Sequence, residues 1–472
     1  MTRRALVAAA AAWVAVAGTP VAAQTPLTVE QVLATVDRAF PLLDAARQEQ
    51  EAAAGDALSA RGAFDLRLQA NGDVQRGEVY DNESAAVSLY QPLTFAGANV
   101  FGGYRLGRGT FAPYDGKAQT LTDGEWKGGV ALPLLRNRAI DSRRGALART
   151  DLGLQLADQR VAASRLRFLG EAALRYWDWV SAGRQQDVAS RLLQIAEVRD
   201  RDLADAIALG SVAPVERVDN RRAILQRQSG VISARRSTER QSINVSLYLR
   251  AVDGSMLRPG DSQVPGSMPP PPPRITREQI EADLRLALAN RPDVRAIELT
   301  REQQTITLEL ARNELLPTFD LFAEVSKDAG DGSRTLRGAE LDAGATFVLP
   351  VQRRQGKGLQ RTALANLARL DAELRFARDR VRAEIEDAAS ALAAALDVVE
   401  VVAAEVLVAR ELEQAERDRF ALGDSTQFLV NLRELATADA AFREISATAE
   451  AHKARVAYDV ATARLAVMTG NP

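Results

Sequence analysis

Two stretches of the sequence close in the same way, about 213 residues apart. Ala208-Leu209-Gly210 ends one long helical run and Ala421-Leu422-Gly423 ends another. The landmarks around them recur in the same order. Phe40-Pro41 is echoed by Arg291-Pro292, and Phe64-Asp65-Leu66 by Phe319-Asp320-Leu321. Leu132-Pro133-Leu134 returns as Leu349-Pro350-Val351, each a short step before Ala146-Leu147-Ala148 and Ala363-Leu364-Ala365. An ordered duplication of this kind predicts two copies of one unit, interlocked rather than split into independent domains.

Each copy mixes a little strand with a great deal of helix. Leu359 to Leu422 contains neither glycine nor proline, a rod of roughly 95 Å at ~1.5 Å per residue. Between Pro133 and Pro214 lies a comparable run softened by a few glycines. Rods of this length need a partner along their whole side. Leu367, Leu370, Leu374, Ala377, Val381, Ile385, Ala388 and Leu392 supply a seam at 3–4 spacing. After its Ala-Leu-Gly each rod is followed by a shorter return helix. Near the N-terminus, 28–62 is expected to be helical, with Thr28 as N-cap and Gln31 completing a capping box. Ala45, Ala52, Ala53, Ala57 and Ala60 are expected on its packed face.

From Phe64 the period changes to two. Strands are expected from Phe64 onward and at 84–91, 98–107, 126–134, 319–326 and 341–349. Twelve of the 24 aromatic residues fall within 64–133 and 319–350, about a fifth of the chain. Aromatics concentrated in alternating strands suit a lipid-facing barrel with interfacial girdles. An ordinary soluble sandwich is the competing reading.

These elements predict an α+β fold. Residues 1–23, with Arg3-Arg4, an alanine-rich apolar core and Val21-Ala22-Ala23, read as a cleavable signal peptide. Residues 24–251 form the first repeat: helix, strands over 64–134 and a long helical hairpin over 142–250. A proline-rich linker spans 252–275. Residues 276–472 form the second repeat, with strands over 319–350 and a hairpin over 358–469.

Little in the sequence carries chemistry. There is no cysteine, which removes disulfides and thiolate ligands. The one histidine, His452, sits in a helix and is expected to be packed or solvated. No phosphate loop, zinc site or catalytic set is legible, so no cofactor, metal or catalytic residue is assigned and the chain is not expected to be an enzyme. A net charge of −2 gives no reason to expect nucleic acid. No segment after the signal holds ~20 uninterrupted apolar residues, so a membrane could be crossed only as a barrel.

Taken together, the paired Arg/Phe-Pro segments, the strand pairs, the run Ala173-Leu174-Arg175-Tyr176-Trp177-Asp178-Trp179 and the two Leu-Gly turns resemble the TolC-like family of outer-membrane efflux proteins. The resemblance covers essentially the whole mature chain. It implies a homotrimer whose short strands pool into one transmembrane β-barrel in the outer membrane. Long antiparallel coiled-coil helices would pool into one periplasmic tunnel. It further implies a passive duct for efflux or type I secretion, docked to a periplasmic adaptor and an inner-membrane pump. A periplasmic coiled-coil scaffold without a pore is the alternative. The first copy carries more strand-like sequence than the second, and Val100, Gly102, Tyr104 and Leu106 alternate there. This extra hairpin would either join the barrel or cap its mouth.

In the resembled family the helix turns close the tunnel, with an aromatic three residues before the glycine and acids six and nine after it. Here Glu216 and Asp219 hold the later positions in the first copy. The second copy has Phe420 before its glycine, then Leu429 and Leu432 where acids often stand. Glu216 and Asp219 are therefore candidates for an acidic ring, or helix-start residues favoured by the helix dipole after Pro214. Phe420, Phe428 and Leu429 are candidates for an apolar gate that closes by dewetting, or for coiled-coil core. The exposed turns Leu209, Gly210, Leu422 and Gly423 are candidate adaptor-docking tips.

Overall fold

The computed structural model describes residues 25–111 and 119–465. The expected signal peptide and the end of the second hairpin, up to 469, lie outside the described residues. Helix α1 (Val29–Ala39) starts in the expected capping box: Thr28 Oγ1 accepts from the Gln31 amide, and Gln31 Oε1 accepts from the Thr28 amide at 3.0 Å. The single helix expected over 28–62 is broken at Phe40. Pro41 has no amide hydrogen and crowds the residue before it, so Phe40 is extended (φ −82°, ψ 121°) and α2 (Pro41–Arg61) begins anew. The same break at Arg291 (φ −63°, ψ 127°) separates α5 (Arg277–Asn290) from α6 (Pro292–Asn313).

Six strands form one antiparallel sheet in chain order: β1 (Arg67–Gln75), β2 (Asn82–Pro92), β3 (Asn99–Gly109), β4 (Glu125–Pro133), β5 (Thr318–Asp328) and β6 (Ala339–Val348). The first strand starts later than expected, because Gly62–Phe64 is a 3₁₀ turn. The extra hairpin joins the sheet as β2 and β3.

The register decides what each face presents. Leu68 lies opposite Leu89, Ala70 opposite Val87, and Val87 opposite Tyr104. Tyr104 then faces Trp126, Val130 faces Ala323, Val325 faces Leu341 and Phe319 faces Phe347. Since side chains alternate along a strand, all of these share one face. That face is apolar from the first strand to the sixth, and it is bare: Leu68 is 71% exposed, Trp126 63% and Leu341 73%. It gains charge only at the end far from the helices, at Glu83, Arg108 and Lys327. The opposite face carries Arg67, Gln69, Asn71, Asp73, Lys127 and Glu324, the last two paired at 3.5 Å.

Two long helices descend from the sheet to the tips, α3 (Ser142–Ala208) and α7 (Arg354–Ala421), and two shorter ones return part of the way, α4 (Pro214–Ser246) and α8 (Gln427–Ala461). Asp141 caps α3, accepting from the Arg144 amide at 2.8 Å. The α7 seam is buried as expected at Leu370, Ala377, Val381, Ile385, Ala388 and Leu392, with Leu367 and Leu374 half-buried. The helices stand in a curved row. Near the sheet the order is α2, α3, α6, α7; toward the tips it is α4, α3, α8, α7. Being at the edge of that row, α2 buries only Ala57 of its expected alanines, while Ala45 and Ala52 are exposed.

Midway along the row is the main apolar core, around Phe40, Phe168, Tyr176, Trp179 and Val180. Tyr176 donates to the Leu27 carbonyl at 2.9 Å. The chain between α4 and α5 is not a free linker but a strap across the helices. The Leu27 amide donates to Gln263 O at 2.9 Å, and Ser242 Oγ donates to Pro259 O at 2.7 Å. Val264 lies so close over Gly183 that a Cβ there would meet it at 2.7 Å. His452 stacks on Trp177 at 3.9 Å, and burial holds its pKa below the usual histidine value.

Candidate functional site

The two hairpin tips are built alike. At the end of α3, the Gly210 amide donates to Ile207 O and the Ser211 amide to Ala206 O, both at 3.0 Å. At the end of α7, the Gly423 amide donates to Phe420 O at 3.0 Å and the Asp424 amide to Arg419 O at 2.9 Å. These paired bonds satisfy the last carbonyls of each helix and require a left-handed residue, which glycine supplies at φ +73° and +80°. Leu209 and Leu422 project outward, each 84% exposed. Pro214 and Thr426 then start the return helices, Thr426 accepting from the Leu429 amide at 3.4 Å.

The expected constriction residues do not converge within one protomer. Asp219 and Phe428 line a groove between α4 and α8, and Asp219 pairs with Arg222 at 3.4 Å. Phe420 lies in a separate groove between α3 and α7, with Ile195, Leu203 and Val212. Glu216 and Leu429 are half-buried and line neither groove.

A polar cluster between the helices, just above the tips, was not expected from the sequence. Glu434 of α8 is 1% exposed and takes three guanidinium groups: Arg199 from α3, Arg227 from α4 at 2.8 Å and Arg417 from α7 at 3.1 Å. Burial favours its neutral form, but the arginines outweigh that and hold the carboxyl below the usual glutamate range. Asn431 Oδ1 accepts from Arg199 at 2.7 Å and from Arg227 at 3.3 Å, and Arg227 also donates to Leu192 O at 2.8 Å. One carboxylate thus ties the first hairpin to the second. Each of these residues sits singly on a charged helix, so no local pattern marks it. Only the polar break in an otherwise apolar spacing at Asn431 and Glu434 hinted at a buried site.

Two faces complete the geometry. On α4, Val218, Leu225 and Ile232 recur every seven residues and are 68%, 64% and 70% exposed. On α7, Val401, Val408 and Leu412 form a second bare seam, 69%, 55% and 46% exposed, turned away from the seam that α8 covers. Leu225 lies as many residues past Gly210 as Val408 lies short of Gly423, and the same holds for Ile232 and Val401. The sheet ends in the same two directions: among the described residues, β1, which follows α2, and β6, which precedes α7, each keep one unpaired edge. Among the described residues, no helix is long and apolar enough to cross a membrane, and no group of three or more His, Cys, Asp or Glu side chains is placed to hold a metal ion.

No protein-family model matches the sequence, and no curated protein does. Solved structures match over nearly the whole chain. The Neisseria gonorrhoeae MtrE outer-membrane channel in its open state aligns at TM-score 0.65 and 14% identity, covering 92% of this chain and 88% of that one. The Vibrio cholerae outer-membrane protein VceC aligns at TM-score 0.63 and 16% identity, covering 92% and 95%. The outer-membrane channel OprN aligns at TM-score 0.63 and 14% identity, covering 92% and 89%. With its six-stranded sheet, its two long helical hairpins and these matches, the chain has the fold of the TolC-like outer-membrane channels.

Proposed function

We propose that the chain is one protomer of a homotrimeric outer-membrane channel-tunnel, built from two copies of one structural unit. In this reading it is a passive exit duct for efflux or type I secretion, fed by an inner-membrane pump through a periplasmic adaptor. The observation that carries the reading is the pairing of two bare edges along the full length of the molecule. An unpaired strand edge and an uncovered coiled-coil seam are each costly, and both are relieved when copies join head to tail in a closed ring. The apolar sheet face then meets lipid and the polar face lines a lumen, as in a membrane barrel. Strands of 9 to 11 residues have the length that a bilayer requires.

The absence of cysteine makes the test clean. Leu225→Cys combined with Val408→Cys should yield oxidised species that end at a trimer on non-reducing gels. Helices α4 and α7 stand at opposite sides of one protomer's row, so every link would join two copies. Monomer alone, or a ladder running past three, would overturn the closed ring.

The tips are proposed as the adaptor-docking surface. Leu209, Gly210, Leu422 and Gly423 present two related apolar turns at the periplasmic end. Both glycines are held in the left-handed region, whereas Leu209 and Leu422 are each 84% exposed, so Leu209→Glu and Leu422→Glu test docking without straining either turn. Adaptor capture should fall while trimer yield holds; normal efflux in both variants removes the idea. Glu216 and Asp219, with Phe420, Phe428 and Leu429, are proposed to form the constriction. Three copies of each would surround one axis.

A further inference from the structure

Between α4 and α8, floored by α3, lies a groove of about 430 Å³. Leu432, Leu435 and Phe442 form one wall, and Ala223 and Gly230 form the other. At its base Asn431 is 7% exposed, and its Nδ2 has no hydrogen-bond partner. Its Oδ1 is already engaged by Arg199 and Arg227, which fixes the amide with the free donor turned away from them. A buried donor left unpaired is unfavourable, and Asn431 is among the residues that line the groove. The charge behind it is also unbalanced. Among the described residues, the carboxylates paired with Arg199, Arg227 and Arg417 are Glu434 and Glu413, which leaves one positive charge in excess. At the mouth Asp219 is neutralised by Arg222.

We propose that this groove binds a small amphipathic monoanion. Its ring or short alkyl body would lie against Leu432, Leu435 and Phe442, and its carboxylate or sulfonate would accept from Asn431 Nδ2 in the field of the excess arginine charge. The volume lies within the range of about 300–1,000 Å³ usual for small-molecule sites. Ala223 and Gly230 occupy a different face of α4 from Val218, Leu225 and Ile232, so the inference does not depend on how copies pack along that seam.

The test uses the full-length protein in lipid nanodiscs, titrated calorimetrically with 4-phenylbutyrate and with its cationic counterpart 4-phenylbutylamine, empty discs being subtracted. The anion should saturate at one site per protomer and the amine should give no site. Nothing lies within 4 Å of a Cβ at Gly230, so Gly230→Phe should fill the groove and abolish binding with the helix intact. Asn431→Asp, which replaces the donor with a second negative charge, should weaken the anion at least about tenfold. Leu432→Glu gives an independent block should Gly230→Phe fold poorly. Equal binding of both probes, no binding of either, or undiminished anion binding in Gly230→Phe and Leu432→Glu would overturn the proposal.

Discussion

Glu434 shows how far one side chain can hold two hairpins together. A carboxylate out of water is strongly disfavoured, and only the guanidinium groups around it keep it charged. Removing that charge strands Arg199 and Arg227 beside each other, while Arg417 keeps Glu413. Glu434→Gln should therefore cost about 3 kcal/mol locally, seen as faster hydrogen exchange in α3 and α8 near Arg199 and Asn431. The pH dependence has a definite sign. Because the folded pKa is depressed, the contribution is complete above the usual glutamate value and is lost as pH falls through the lower folded value. Wild-type protection should drop on that acid limb, and the variant's should stay flat across it. Equal acid sensitivity in both would mean that other carboxylates control the tips.

Single elements differ in how much of their role their own sequence declares. The periodicity of α7 announced a seam, and Leu370, Val381, Ile385 and Leu392 are indeed buried. The capping box at Thr28 and the turns at Gly210 and Gly423 were legible for the same reason: each depends on residues within one turn of one another. What stayed hidden depends on distance in sequence. Nothing local says that α8 packs on α3, that residues 252–275 lie strapped across the helices, or that Arg199 and Glu434 meet. The break at Phe40 follows from Pro41, but the apolar spacing continues across it and conceals it. The second, bare seam of α7 permits a contrast within one helix. Ile385→Ala should destabilise the protomer by about 2–5 kcal/mol, since it empties a fully buried site. Val408→Asp should leave helix content and protomer folding unchanged, yet prevent trimers from forming. Trimer yield by light scattering, beside thermal melts followed by circular dichroism, separates the two; an intact trimer in Val408→Asp would leave that seam without a role in assembly.

At the scale of the whole molecule, the sheet face and the helix edges make the same demand. Alternation in the strands was readable from the sequence, but its consequence needed the register. Six separate apolar stripes become one surface only because Leu68, Leu89, Val87, Tyr104, Trp126, Val130, Val325, Leu341 and Phe347 fall on the same side. The ends of that surface carry ring pairs, Tyr104 with Trp126 at 5.0 Å and Phe319 with Phe347 at 6.2 Å, where aromatic girdles would sit at the two membrane boundaries. Adjacent residues of β1 make the decisive comparison. Ala70 points to the apolar face and Asn71 to the polar one, and both are exposed in the single chain. In a soluble sandwich or a poreless scaffold, an arginine at either position would be tolerated or refused according to packing, with no reason for lipid to matter. If the apolar face meets a bilayer, Ala70→Arg should cost about 2–4 kcal/mol near the midplane. It should then lower recovery in the outer-membrane fraction and abolish heat-modifiable migration. Asn71→Arg, one residue along the same strand, should insert normally and change only conductance. Equal insertion of the two variants would detach the apolar face from the membrane and leave the scaffold reading in its place.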